Sequence, residues 1–255
     1  SYFNKSSNKT EIKRRFENKL PVAFNDAIKT LKQEFVNTKP NFATRKSSAV
    51  CLEKITEAVP ELVGGSADLT GSNLTKAKLK PITPDNFSGG YVYWGVREHG
   101  MSAAMNGMAL HGGIRPYGGT FFVFTDYCKP AIRLSALMNQ PVIYVMTHDC
   151  PTHQPIEHLA SMRAIPNLLV LRPADAYETA ECWQIALENK TGPTMLVLTR
   201  QNLPALRTEF SEENKSAKGA YIICDVQNPD VTLLASGSEV SLAVKAADAL
   251  AAKNI

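Results

Sequence analysis

Cysteine is scarce in this chain of 255 residues: there are five, an odd number, with no CxxC pair among them. Cys51, Cys128, Cys150, Cys182 and Cys224 read as free thiols of a reducing compartment, which excludes a disulfide framework and a zinc–thiolate site. The sequence also lacks a secretory leader pattern, an apolar run long enough to span a bilayer, and a short internal repeat. The expected location is therefore the cytoplasm, with no membrane partner. Charge of one sign is equally lacking. With 28 basic and 24 acidic residues the net charge is +4, too small an excess to argue for nucleic acid but compatible with phosphorylated small molecules. No Walker loop and no GxGxxG fingerprint occurs. What is present, 44% hydrophobic and 20% charged residues, supports a globular core of one or two domains.

The stretch Tyr91-Val92-Tyr93-Trp94-Gly95-Val96-Arg97-Glu98-His99-Gly100-Met101 organises the rest. Its aromatic start, after the Gly89-Gly90 turn, predicts a strand. Met101, Ala104, Met105 and Met108 then predict a helix stopped by Gly112-Gly113. Glu98 falls at the junction, where ligands of open α/β sheets gather. It either complements the helix dipole or faces a ligand.

Before it, Ser1 to Thr10 is polar, and Glu11 to Leu20 is a charged helix candidate. Ala23, Ala27, Ile28, Leu31 and Phe35 repeat at helical spacing up to Pro40, and a further helix runs from Arg45-Lys46 towards Pro60. A basic pair at a helix start opposes the dipole, so it is either solvated or faces an anion. Leu62-Val63 enters Gly64-Gly65-Ser66-Ala67-Asp68-Leu69-Thr70-Gly71-Ser72-Asn73, a loop of small and hydroxyl residues that is either an ordinary turn or a cradle for phosphate or a cofactor. After Glu98, Phe121-Phe122-Val123-Phe124 and Pro141 to Met146 read as buried strands, the second leading to His148. Thr194 to Leu198 is a last buried strand ending at Arg200, which makes either a structural ion pair or a ligand contact. His153 and His158 invite a metal reading, but no third ligand has helpful spacing, so no metal ligand is assigned.

With Arg45, Gly64 to Asn73 and Tyr93 to Met101 in view, the chain resembles the transketolase family, in its bacterial form. The match continues through Leu110-His111-Gly112-Gly113, Thr120 to Phe124, Asp126-Tyr127, Thr147-His148-Asp149, Pro151 to His158, Arg172-Pro173-Ala174-Asp175 and Thr199 to Leu203. The resemblance implies an open, mostly parallel α/β sheet with helices on both faces, the pyrimidine-binding domain of thiamine-diphosphate enzymes. It places that domain at 40–205, after a helical segment 1–39. A linker at 206–219 and a truncated start of a second α/β domain at 220–255 follow. Tyr221 to Cys224 and Val231 to Ala235 are read as strands of that second domain, and Gly237-Ser238-Glu239-Val240 as a helix start.

In the family the glutamate matching Glu98 hydrogen-bonds a pyrimidine nitrogen of thiamine diphosphate and so activates the cofactor. The resemblance makes Asp68, Phe121, Phe124 and Tyr127 cofactor-binding. It gives Arg45, Ser72, His148, His153 and Arg200 to a phosphorylated sugar, with His148 also catalytic. The implied reaction moves a two-carbon unit from a ketose phosphate to an aldose phosphate, within the pentose phosphate pathway. Dihydroxyacetone synthase or another thiamine enzyme is the enzymatic alternative, and a dimerising or cofactor-sensing module the non-enzymatic one. Family members hold the diphosphate, with magnesium or calcium, through a Gly-Asp-Gly motif in an amino-terminal domain, and the site lies between two subunits of a homodimer. No Gly-Asp-Gly occurs here. The chain is therefore expected to be a fragment carrying half a site. One departure from the pattern is local: Asp149-Cys150 runs straight into Pro151-Thr152-His153, where the family has a glycine-rich acidic loop whose aspartate contacts a substrate hydroxyl.

Overall fold

A computed structural model describes residues 7–149 and 154–253. Two helices, α1 (Lys9–Phe16) and α2 (Val22–Thr38), lead to a short strand β1 (Phe42–Ala43) and helix α3 (Thr44–Ala58). Strand β2 (Leu62–Ser66), the single helical turn α4 (Thr70–Asn73) and strand β3 (Tyr91–Tyr93) follow. Next come α5 (Glu98–His111), β4 (Arg115–Phe121), α6 (Thr125–Leu137) and β5 (Ile143–Thr147). The chain continues with α7 (His158–Arg163), β6 (Leu169–Leu171), α8 (Ala176–Glu188), β7 (Thr194–Val197), β8 (Asn202–Leu203) and α9 (Val240–Ala251).

Six strands form one parallel sheet in the order β3-β2-β4-β5-β7-β6. The expected open parallel sheet with helices on both faces is thus present. Period-two alternation divides β5 between two cores. Ile143 and Val145 join α2, α3 and α8 in one hydrophobic cluster, whereas Tyr144 and Met146 join Met101 and Met105 of α5, Ile132 of α6 and Met162 of α7 in the other. With both faces covered, the polar ends of the strands are left as the place for chemistry. Gly64 is needed inside β2 because a Cβ there would sit 1.9 Å from the Tyr117 ring.

Three sequence readings are corrected. Strand β2 runs through Gly64-Gly65 to Ser66, so the cradle begins only at Ala67, and the Ser66 hydroxyl is spent internally. Ser66 Oγ donates to Asn73 Oδ1 (2.8 Å), and Asn73 Nδ2 donates to Thr147 Oγ1 (2.5 Å). Phe121 to Phe124 is not one strand. β4 stops at Phe121 and Phe122–Phe124 is a 3₁₀ turn with only Phe122 buried. Side chains three apart eclipse in such a turn, so Phe121 and Phe124 share a side, ring centroids 5.8 Å apart. Finally, the segments 221–224 and 231–235 are not strands. No neighbouring strand pairs with them, and Leu234 is 92% exposed. An apolar run without a partner edge and a second layer does not make a sheet.

The segment 206–221 is strapped to α8 and its N-cap by carboxylates at three-residue spacing. Asp175 accepts from the Leu206 and Arg207 backbone N–H groups (2.9 Å each). Glu178 accepts from the Tyr221 hydroxyl. Glu181, fully buried, binds Lys32 Nζ (3.3 Å), Arg207 Nη1 (3.2 Å) and the Ser216 hydroxyl (2.8 Å). Removing one member of a buried ionic group leaves the others uncompensated. Glu181→Gln is therefore expected to lower unfolding free energy by about 3 kcal/mol in urea denaturation; a loss below about 1 kcal/mol would show that the triad is only peripheral to stability.

Candidate active site on the carboxyl rim of the sheet

Each site residue predicted from sequence and described here lies at or just past the carboxyl end of a strand, or at the helix start that follows. Arg45 and Arg200 are 155 positions apart in sequence but neighbours in space. Strands β1 and β8 pair antiparallel, Phe42 with Leu203 and Ala43 with Asn202. Thr44 and Thr199 then exchange hydrogen bonds: Thr199 N donates to Thr44 Oγ1 (2.8 Å) and Thr44 N to Thr199 Oγ1 (3.2 Å). Arg45 follows in the first turn of α3, and its Nη1 donates to the Ser72 carbonyl (2.6 Å). Ser72 thus aims Arg45 through its backbone. Lys46 turns away onto the Phe42 ring, 4.0 Å from its centroid, so only one member of the basic pair faces the rim.

No carboxylate lies within ion-pair distance of Arg45 or Arg200 among the described residues, which removes the structural ion-pair reading for Arg200. The two guanidiniums instead repel each other, and burial with the nearby Arg200 lowers the Arg45 pKa. His148 follows β5 between them. Burial, then Arg45, then Arg200 push its pKa down to about 4, so its imidazole is neutral at pH 7. His148 and Arg200 line a cleft of about 340 Å³ with Asp149, Gln154, Arg172, Thr199 and Gln201, and Arg45 acts electrostatically on both. A surplus of unpaired positive charge beside a neutral imidazole suits a phosphate ester.

From His148 a ladder of rings crosses the rim. His148 lies 5.1 Å from Phe121, Phe121 5.8 Å from Phe124, and Phe124 5.8 Å from Tyr127, centroid to centroid. Asp149, a residue to which sequence reasoning gave no role, fixes this ladder by accepting from the Val123 backbone N–H (2.7 Å). Burial raises its carboxyl to about 6. Next to Tyr127, the Cys128 thiol is pushed up to about 12 by burial, with a further push from Glu98. Glu98 opens α5, is 7% exposed, and accepts no hydrogen bond from the described residues. Glu98 thus lies near the far end of the ladder, by way of Cys128, and has no donor among the described residues. Asp68 is exposed and held at φ +60°, on the loop after β2 and away from the cleft lining. His153 and the Cys150–Pro151 junction lie outside the described residues.

A buried carboxylate at a helix start, an aromatic ladder and a phosphate-sized basic cleft on one sheet edge find their counterpart among known proteins. The family described as "Transketolase, pyrimidine binding domain" matches residues 41–205.

The chain belongs to the transketolase family.

"Transketolase-like TK C-terminal domain" further matches 219–255. A transketolase of Cereibacter sphaeroides is 59% identical over 237 residues, covering 90% of this chain and 36% of that protein. The chain thus spans about a third of the length of the curated transketolases it matches. A Pichia stipitis transketolase solved with sedoheptulose 7-phosphate superposes with a TM-score of 0.88 at 43% identity, over 100% of this chain and 39% of that one. A split-gene transketolase, described as an inactive β4 tetramer, aligns at TM-score 0.70 and 29% identity over 85% of this chain and 69% of its own.

Arg172 and Asp149 sit inside motifs visible in the sequence, yet only the fold gives them partners. Arg172 borders the cleft and also donates to the Ser236 carbonyl (2.9 Å) and pairs with Glu239.

The neutral His148 makes stability depend on pH. Because its folded pKa lies below the usual imidazole value, the unfolded chain binds more protons between about pH 4 and 6.5. The stability this neutral imidazole contributes is complete above about 6.5 and falls as pH drops towards 4. A bound dianion would offset the two arginines and raise the His148 pKa. Binding of sulfate, whose charge does not titrate near pH 6, is then expected to take up protons, read by calorimetry in buffers of different ionisation enthalpy, and His148→Gln to abolish the uptake. Buffer-independent heats in the parent sequence would contradict this electrostatic account.

Proposed function

We propose that this chain supplies the pyrimidine-binding and sugar-phosphate half of a thiamine-diphosphate transketolase site. The observation that carries the reading is the ring ladder, Tyr127 to His148, which joins the neighbourhood of the buried Glu98 to the Arg45–Arg200 pair. The residues suit the group. Glu98 offers a buried carboxyl with no donor among the described residues to compete for it, and Phe121, Phe124 and Tyr127 offer flat apolar faces for a flat heterocycle.

When bound, thiamine diphosphate supplies the nucleophilic carbon that lets a two-carbon unit leave a ketose phosphate and join an aldose phosphate. Glu98 would hydrogen-bond a pyrimidine nitrogen and hold the proton shared there. Phe121 and Phe124, held by Asp149, fix the ring and exclude water. Asp68 approaches the cofactor from the loop after β2. Arg45 and Arg200 bind the sugar phosphate, Ser72 fixes Arg45 and offers its hydroxyl, and His148 donates a hydrogen bond as a neutral imidazole. His153 is assigned to the substrate hydroxyls by the family pattern.

The diphosphate and its magnesium or calcium ion are assigned to the amino-terminal domain of a second subunit, which makes the working unit a homodimer. Helix α6 supports this with an exposed apolar stripe, Tyr127, Leu134 and Leu137, of the kind that marks protein interfaces. The pentose phosphate pathway and a cytoplasmic setting follow from the same reading. Ribose 5-phosphate as acceptor, in preference to formaldehyde, separates it from dihydroxyacetone synthase.

In the dimeric enzyme built from the complete coding region, Glu98→Gln is expected to lower kcat by about 100-fold or more and leave the thermal midpoint nearly unchanged. Wild-type turnover in that variant would refute the role. The 255-residue chain alone is expected to show no transfer in a coupled assay, in keeping with the inactive tetramer described for the split-gene relative; measurable turnover would contradict the shared-site reading.

A further inference from the structure

Helix α7 opens with a histidine that the sugar chemistry does not use. His158 is 5% exposed, its ring set against Phe122 with centroids 5.9 Å apart. Neither ring nitrogen has a hydrogen-bond partner among the described residues. Its Nε2 approaches Asp126 Oδ1 to 3.0 Å, but the contact is not aligned as a hydrogen bond, and Nδ1 lies 3.8 Å from Glu157 Oε2. A buried polar atom left without a partner is costly and uncommon, so this imidazole calls for one.

The surroundings are negative. Asp126 stands in the first turn of α6 and Glu157 just before α7, and neither pairs with a lysine or arginine among the described residues. A third carboxylate, Asp149, couples electrostatically to His158, and its buried Oδ2 also lacks a partner among the described residues. One donor atom each from Asp126, Glu157 and His158 lie within 4.8 Å of one another.

We propose that Asp126, Glu157 and His158 form a binding site for a first-row divalent cation, with zinc the best match, at the junction of α6 and α7. One imidazole nitrogen and two carboxylate oxygens suit zinc, cobalt or manganese. An all-oxygen set would suit magnesium or calcium, and thiolates would suit copper(I). Metal–ligand bonds of about 2.0–2.2 Å place tetrahedral donors roughly 3.3 Å apart. The observed spread closes to that by side-chain rotation of Asp126 and Glu157, which are 60% and 74% exposed. Water takes the fourth position from the solvent side. The ion satisfies the bare imidazole nitrogen and neutralises the carboxylates.

It also joins two parts of the rim. Asp126 is the residue before Tyr127 of the ring ladder, and the residue after His158, Leu159, lines the cleft. An ion held between them clamps the aromatic wall to the cleft wall. Sequence spacing could not reveal the site, because Asp126 reaches His158 only through the packing of α6 against the segment that precedes α7.

The test titrates the full 255-residue chain with zinc chloride by calorimetry and with cobalt chloride by visible absorption, with magnesium chloride as the comparison. One zinc per chain is expected, with cobalt d–d bands typical of low coordination, a rise in thermal midpoint on zinc addition, and no comparable response to magnesium. His158→Gln and Asp126→Asn should each weaken zinc binding by about tenfold or more, whereas His111→Gln should leave it unchanged. Asp126→Asn alters an exposed side chain, so the test stands even if the buried histidine variant fails to fold. Absence of zinc binding, or binding unaltered in Asp126→Asn, would overturn the site and leave a plain histidine–aspartate contact.

Discussion

The exchange of hydrogen bonds between Thr44 and Thr199 is the constraint on which the site depends. It seals the short β1–β8 ribbon at the point where the chain first reaches the sheet and where it last leaves it. Two arginines would not approach each other unaided, since like charges in a partly buried setting repel. The ribbon imposes their proximity, and the Ser72 carbonyl holds one of them in place. In the proposed reading a bound anion relieves this repulsion, a form of electrostatic preorganisation.

The parallel sheet then sets distances across the rim. Register between β4 and β5 puts Phe121 beside Thr147, which brings the ring ladder to His148. The 3₁₀ turn after β4 keeps Phe121 and Phe124 on one side, and Asp149 pins that turn from the end of the neighbouring strand. Behind the rim, Ser135 donates to Asn106 Oδ1 (2.5 Å) and shares a hydrogen bond with Tyr144 (2.7 Å), tying α5 to α6 through buried polar contacts. Glu98 is thereby fixed at the head of a rigid helix, not on a mobile loop. Satisfied buried networks specify one packing arrangement, so the Glu98 carboxyl keeps one place on the rim.

The carboxylates of α8 do comparable work outside the site. Asp175, Glu178 and Glu181 hold the chain that follows β8 against the domain, while Arg172 holds the segment that starts α9. Gly237 makes that second contact possible. It stands at φ +61°, and a Cβ would meet the Arg172 side chain at 2.6 Å. The carboxy-terminal segment is thus tethered to a residue that borders the cleft.

Much was legible in the sequence by itself. Period-two and period-3.6 patterns located the sheet and its helices, because burial of one face dictates those periods. Glu98 at a strand–helix junction, and His148 and Arg200 after buried strands, were readable as rim residues for the same reason. Tertiary structure decided the rest. Which member of Arg45-Lys46 faces the site depends on Ser72 and Phe42, contacts that no local spacing encodes. The strand read through Phe124 failed because the turn is set by Asp149 from another strand. The strands read at 221–224 and 231–235 failed because hydrophobicity alone supplies no pairing edge. The grouping of Asp126 with His158 was invisible because it joins elements brought together only by packing. Local patterns report what a residue must bury; the company it keeps is fixed by strand order, register and long-range hydrogen bonds.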